Sequence, residues 1–250
     1  MRMHDSLRRY TTPFLVGCAI AVAPTLAVGL DNEPTPGVTP TPTQKEANEN
    51  SAAAERSDKM ESRKLIEKAT DVVQRMRSDP KVAELLRSAK GVYIVPDFTR
   101  AALGVGGEGG DGVMLSHGRG GWSGPAFYDV GGLTVGLEAG ISSGEVAFIL
   151  MSDKAVQNFR QQNKFSLSAD AGFNILTYSA NAATTWGTGD IVIWSDTEGL
   201  FAGAGVGVAD VHWNADRNGR YYGSDVTPDA ALTGTMRAEH GAQLRTALPG

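Results

Sequence analysis

The stretch from Lys90 to Met151 constrains the fold more than any other part of the chain. It reads KGVYIVPDFTRAALGVGGEGGDGVMLSHGRGGWSGPAFYDVGGLTVGLEAGISSGEVAFILM, and 15 of the 31 glycines fall between Gly104 and Gly144. Short β-branched or aromatic runs alternate with them: Val92 to Val95, Val113 to Leu115, Ala126 to Val130, Leu133 to Leu137 and Val146 to Met151. Glycine is costly in a regular strand, because it loses the most backbone entropy and offers no side chain to pack. This density predicts short strands with positive-φ turns, bulges, or backbones that approach closely. Pro96 is expected to stop the first strand. The rest of the chain is expected to export, tether or cap this core.

Two catalytic-looking patterns lie inside the stretch. Gly104-Val105-Gly106-Gly107-Glu108-Gly109 satisfies G-x-G-x-x-G. A dinucleotide fingerprint must open a helix whose N-terminus meets the pyrophosphate. Here Gly110-Asp111-Gly112 and a Val-Met-Leu strand follow, and Glu108 and Asp111 repel phosphate. Gly140-Ile141-Ser142-Ser143-Gly144 satisfies G-x-S-x-G. A nucleophile elbow needs strand, sharp turn and helix, whereas this pattern sits between two strand-like runs and fits a hairpin turn better. A serine hydrolase centred on Ser142 is therefore the weakest functional reading, and His117, His212 and His240 are far apart in sequence. No H-E-x-x-H, Walker A loop or ligand cluster appears. No cofactor, metal or catalytic residue is expected.

Ahead of this core, Arg2, Arg8 and Arg9 precede an uncharged run from Tyr10 to Leu30. Basic residues followed by an apolar run fit an export signal, and Pro13 and Pro24 disfavour a permanent span. Two processing routes fit. Leu15-Val16-Gly17-Cys18 matches a lipobox, making Cys18 a lipidated first residue; alternatively, a peptidase cuts after Ala27 or Gly29. The expected organisation is a signal over residues 1–29, a Pro/Thr-rich disordered linker over 30–55, and one domain over 56–250. The linker holds Pro34, Pro36, Pro40 and Pro42 and almost no large apolar residue to bury.

The domain opens with a predicted helix from Lys59 to Arg77, capped by Asp58 with Glu61. Leu65, Ile66, Ala69, Val72, Val73 and Met76 form one apolar stripe at three- and four-residue spacings. Arg56 to Arg77 holds seven basic and four acidic residues, a net +3. Such a helix either packs on the core or lies on an anionic membrane, apolar face down. Lys59, Arg63, Lys64, Leu65 and Lys68 are the candidate lipid-binding residues. Asp79-Pro80 starts a second helix that buries Val82, Leu85, Leu86 and Ala89.

Downstream, Asp153 is expected to cap a helix burying Ala155, Val156 and Phe159. Strands are expected over Lys164 to Ala169, Asp190 to Ser195 and Leu200 to Val211. A polar turn is expected over Asn214 to Gly219, and Pro228 opens a final helical region.

The formal net charge is −5 over 250 residues. An acidic chain is a poor nucleic-acid ligand, because phosphate neutralisation dominates that affinity. Its single cysteine excludes an internal disulfide and a Cys-based metal site.

In order, Lys90-Gly91-Val92-Tyr93-Ile94-Val95-Pro96, Val105-Gly106-Gly107 with Gly112-Val113, Gly121-Trp122-Ser123-Gly124-Pro125-Ala126-Phe127, Gly136-Leu137-Glu138-Ala139-Gly140 and Phe148-Ile149-Leu150-Met151 are followed by Lys164-Phe165 with Ala169-Asp170-Ala171, Gly199-Leu200-Phe201-Ala202-Gly203 and Tyr221-Tyr222-Gly223. Their order and spacing resemble the SYLF domain family over roughly Glu61 to Leu248. The resemblance implies a lipid-binding domain. Eukaryotic relatives bind phosphoinositides, some touch actin, and an N-terminal amphipathic helix contributes to membrane contact; its counterpart here is Lys59 to Arg77. The chain departs from these relatives in carrying Glu108 and Asp111 where they tend to be basic, so the particular lipid and the actin link do not carry over.

The expectation is an α+β domain: N-terminal helices packed on a curved, mainly antiparallel, glycine-rich sheet or barrel-like core. Its expected role is a non-enzymatic phospholipid-binding module of the bacterial cell envelope, exported and held in the periplasm or on the outer membrane as a lipoprotein. Its expected partner is the membrane surface, with homo-oligomerisation or a protein partner left open. The alternative is a structural or protein-interaction domain.

Overall fold

Two very long strands dominate the molecule. A computed structural model describes residues 44–167, 172–178, 189–197, 209–236 and 241–250, which belong to one unit, Thr43–Gly250. Strand β1 runs unbroken from Gly91 to Gly118. After the two-residue strand β2 (Gly121–Trp122), β3 runs from Ala126 to Leu150. β1 and β3 pair antiparallel from Gly91 opposite Leu150 to Met114 opposite Ala126.

Several expectations change here. Pro96 does not end the first strand. The register shifts between Val95 and Phe98, and a proline, which cannot donate to the ladder, is tolerated at such a bulge. A second irregularity lies between Ala102 and Gly104. The Ser142 segment is not a hairpin turn: Ile141, Ser142 and Ser143 pair in register with Ala101, Arg100 and Thr99. Among the described residues between Gly104 and Gly144, only Gly121 has a positive φ.

Close approach accounts for the key glycines instead. β1 curls until its far half lies across its near half. A Cβ on Gly110 would stand 2.7 Å from Val95 Cγ1 and 2.8 Å from the Asp97 carbonyl, and one on Gly112 would overlap the Tyr93 ring. The curl closes where His117 N donates to Lys90 O at 2.8 Å.

The remaining strands flank β3. β6 (Ile191–Ser195) pairs with its C-terminal end, and β5 (Ile175–Thr177) pairs parallel to β6. β7 (Ala209–Trp213) pairs with residues 128–131, and β4 (Lys164–Leu167) pairs with β7. The α+β expectation of helices on a curved, mainly antiparallel sheet holds.

The sheet has two covered sides. On one lie α1 (Gln44–Ser78), α2 (Pro80–Ser88) and α6 (Ala242–Ala247), packed on Val92, Ile94, Val113, Leu115, Phe127, Ala147 and Ile149. On the other, α3 (Asp153–Gln161) and α5 (Pro228–Leu232) pack with β4 on Tyr93, Met114, Tyr128 and Phe148. The α1 apolar stripe from Leu65 to Met76 is 0–8% exposed, as its spacing requires for a helix on a core.

Helix starts differ in detail from the sequence expectation. α1 begins at Gln44, so residues 44–55 of the expected linker are helical and Asp58 is not a cap; it pairs with Arg220 at 3.0 Å. Ser152 rather than Asp153 caps α3. Asn214 to Gly219 is not a turn but the start of α4 (Ala215–Tyr222), capped by Asn214 and ended by Gly223 at φ 73. The signal, Cys18, the linker's first part, residues 168–169 of the expected Lys164 to Ala169 strand, residues 200–208 of the expected Leu200 to Val211 strand, and His240 lie outside the described residues.

Candidate functional site

Helix geometry sorts the candidate residues. At 100° per residue, Arg56, Met60, Arg63, Lys64, Glu67 and Asp71 fall on the side of α1 opposite the buried stripe, and Lys59 and Lys68 lie on its two flanks. Lys59, Arg63, Lys64 and Lys68 are all exposed. Leu65, the fifth candidate, is 8% exposed and belongs to the core. Among the described residues, Lys59 and Lys64 make no ion pair. Met60 is 55% exposed, a large apolar side chain amid cations.

One flank of α1 borders an open cleft of about 410 Å³, lined by Glu61, Lys64, Leu65, Lys68, Asp97, Gly110, Asp111 and Arg217. Lys68 Nζ meets Asp97 Oδ2 at 2.7 Å, and Arg217 Nη2 meets Asp111 Oδ2 at 2.8 Å. Three cations thus face three carboxylates, and the cleft is close to charge-neutral. Asp111 stands directly opposite Asp129 in the β1–β3 ladder. Like charges in that position repel, and Arg217 and Asn214 answer them. Asn214 Nδ2 donates to the Asp129 carboxylate at 3.0 and 3.2 Å. Burial, with Asp111 as a further push, still holds the Asp129 carboxyl above the usual range against Asn214 and Arg217. Glu108 is pushed up by burial and countered by Arg100, which it meets at 3.3 Å.

The other motifs find structural places. Ser142 is exposed in the middle of β3, opposite Arg100. His117 stacks on Trp122 with centroids 4.6 Å apart, and His212 lies in β7 between Lys164 of β4 and Asp129 of β3. The G-x-G-x-x-G segment is continuous strand with no helix after it. Among the described residues, no group of three or more His, Cys, Asp or Glu could hold a metal ion, and no helix is long and apolar enough to cross a membrane.

Sequence reasoning missed Met60 and Arg217. Met60 was findable, since it stands outside the apolar stripe and four residues from both Arg56 and Lys64. Arg217 was not, because its partner Asp111 is distant in the chain.

Residues 131–249 match the family described as "Ysc84: Las17-binding protein actin regulator". The Ysc84 match over that segment supports the SYLF resemblance. The matched segment starts inside β3 and omits β1, the strand that pairs with β3 along its length. The folded unit therefore extends beyond it. The chain is 28% identical over 159 residues to Protein YSC84 of Saccharomyces cerevisiae, covering 61% of this chain and 34% of that one. It is 28% identical over 160 residues to the yeast LAS seventeen-binding protein 3, covering 62% and 35%. It is 24% identical over 186 residues to the Bos taurus SH3 domain-containing YSC84-like protein 1, covering 72% and 54%. The aligned segments thus span about a third of the yeast proteins and about half of the bovine one.

Proposed function

We propose that this chain is a non-enzymatic phospholipid-binding module, held at an anionic membrane surface by the solvent-facing side of α1. The observation that supports this reading is the makeup of that side. Arg56, Arg63 and Lys64 lie within about one turn of the exposed Met60, Lys59 flanks them, Glu67 and Asp71 follow farther along, and Lys59 and Lys64 make no ion pair among the described residues. Near an anionic bilayer each Lys or Arg contributes about 1 kcal/mol. The helix meets the bilayer with its basic side, while its apolar side stays in the core.

Co-sedimentation of the full chain with phosphatidylcholine vesicles, with and without phosphatidylglycerol, tests this. Lys59→Gln with Lys64→Gln removes two charges, so the gain from anionic lipid should fall by about 2 kcal/mol, roughly thirtyfold. An unchanged gain removes the helix from the account.

The module's setting is part of the proposal: export to a bacterial envelope and tethering through the N-terminal segment. Mass spectrometry of the mature N-terminus should find an acylated Cys18; a chain starting at Val28 or Leu30 excludes the lipid anchor. The second reading, a protein-interaction domain, draws support from the printed name of the yeast LAS seventeen-binding protein 3. A stable homo-oligomer in light scattering, without vesicle binding, would favour it.

A further inference from the structure

Among the described residues, three large apolar side chains are exposed: Met60, Leu133 at 78% and Ile141 at 81%. Met60 belongs to the basic side of α1, and the ladder gives the side of the other two. Successive strand residues alternate faces. On β3, Phe127, Ala147 and Ile149 pack under the helical layer, and Glu145 pairs with Arg75 of α1. The irregularity opposite Ala102–Gly104 sets three β3 residues against one on β1, two extra, which preserves the alternation. Leu133 and Ile141 therefore lie on the α1 side of the sheet, opposite Gly107 and Ala101.

The paired strands β1 and β3 form a ribbon, and helix α1 reaches that side at its root, beside Asp97, Asp111 and Glu145. There Lys68, Arg217 and Arg75 match Asp97, Asp111 and Glu145. Beyond the root, the described neighbours on the same face are small: Gly107, Gly109 and Gly131 about Leu133, and Ala101, Thr99 and Ser143 about Ile141. Two bulky apolar side chains thus stand on a lightly substituted ribbon, on the side that carries α1.

We infer that this ribbon face, through Leu133 and Ile141, is an insertion element that enters the interfacial zone of an anionic bilayer. The inference rests on the membrane reading above and adds an apolar contact to an electrostatic one. Charge selects the occupant. A second copy docked by a two-fold axis through this side would bring basic α1 against basic α1, whereas anionic headgroups complement Lys59 and Lys64.

The test uses the full chain with Cys18→Ser and either Leu133→Cys or Ile141→Cys, each thiol carrying an environment-sensitive fluorophore. Both sites are exposed, so labelling leaves the fold intact, checked by circular dichroism. With phosphatidylcholine–phosphatidylglycerol vesicles, the emission should shift to the blue and be quenched by nitroxide on the lipid chains. In the unlabelled chain, Leu133→Ser with Ile141→Ser should weaken sedimentation by about tenfold or more, since each loses a buried aliphatic side chain. A chain that sediments normally while its label stays in water overturns the ribbon inference and leaves the membrane reading standing. A parent chain that does not sediment overturns both. A concentration-dependent shift without vesicles, with dimers in light scattering, assigns the face to a second copy and overturns the inference.

Discussion

Gly112→Ala tests the claim that the glycine-rich stretch is shaped by close approach. A Cβ there would overlap Cε2 and Cζ of Tyr93 and stand 2.8 Å from its hydroxyl oxygen. Tyr93 is fully buried and cannot swing into solvent. Its ring packs on Phe159, Phe148 and Tyr128 at centroid distances of 5.3, 5.8 and 6.2 Å. Its hydroxyl donates to the Tyr128 carbonyl at 3.0 Å. Forcing a methyl into such a core costs about 1–3 kcal/mol. Displacing the ring enough to break the buried hydrogen bond adds about 1–3 kcal/mol more. A total of about 2–6 kcal/mol corresponds to a melting temperature lower by about 4–24 °C for a chain of this size. Gly118→Ala is the control, because a Cβ there meets nothing within 4 Å. Thermal unfolding by circular dichroism reads both variants. If Gly112→Ala melts within about 2 °C of the parent, the crossing of the two halves of β1 is not what requires glycine there.

Further expectations concern the core and the titrating groups. Leu65→Ala should cost about 2–5 kcal/mol in urea unfolding, as a core truncation does, while the folded fraction binds vesicles as before. Asn218 is fully buried; its amide donates to the Phe127 carbonyl at 2.7 Å and accepts from the Phe127 N–H at 3.0 Å, standing in for a neighbouring strand. Asn218→Ala should therefore cost about 1–3 kcal/mol by the same measurement, because it orphans the buried Phe127 N–H, while the Phe127 carbonyl keeps the Asn214 N–H at 3.2 Å. Asp129 and Asp79 should give opposite pH responses across a urea series. Burial raises the folded Asp129 value above the unfolded one, so stability falls as pH rises through that window, and Asp129→Asn should flatten the fall. Asp79 is lowered, first by the Tyr178 hydroxyl, so its contribution is present above the unfolded value and lost as pH falls through the folded one; Asp79→Asn should cost more at neutral than at acid pH.

What the sequence discloses depends on whether the deciding contact is local. The α1 stripe and the Asp79-Pro80 start of α2 are legible, because helical periodicity and caps are local. Periodicity could not say whether Leu65 meets a core or a bilayer; the sheet beneath α1 decides that. Pro96 and the glycines from Gly104 to Gly112 disfavour a strand locally, yet β1 passes through them because β3 pairs with it nearly residue by residue. Asn214 to Gly219 has turn composition but forms helix, since the Asn214 cap and the tie from Asn218 to Phe127 hold it. The exposure of Arg63 and Lys64 was legible from the helical wheel. The neutralisation of Asp111 by Arg217 was not.

That neutralisation bears on how an acidic chain could approach an anionic surface. Glu108 and Asp111 are three apart in one strand and so face opposite sides of the sheet. Glu108 pairs with Arg100, and Asp111 with Arg217. The acidity of the glycine-rich stretch is therefore compensated within a few ångströms, and the exposed surface of α1, net +3 over Arg56 to Arg77, stays locally positive in a chain of net charge −5. Two opposing electrostatic forces of different range follow. Net repulsion acts over tens of ångströms at low salt, whereas that surface and the headgroups attract in near contact. The screening length shrinks from about 30 Å at roughly 0.01 M salt to about 10 Å at roughly 0.1 M. Added salt should first relieve the long-range repulsion and only later weaken the contacts. Sedimentation with phosphatidylglycerol-containing vesicles should thus pass through a maximum between those concentrations. A steady fall from the lowest salt upward would mean that the net charge is not opposing binding. A flat response would mean that the basic surface of α1 is not the contact.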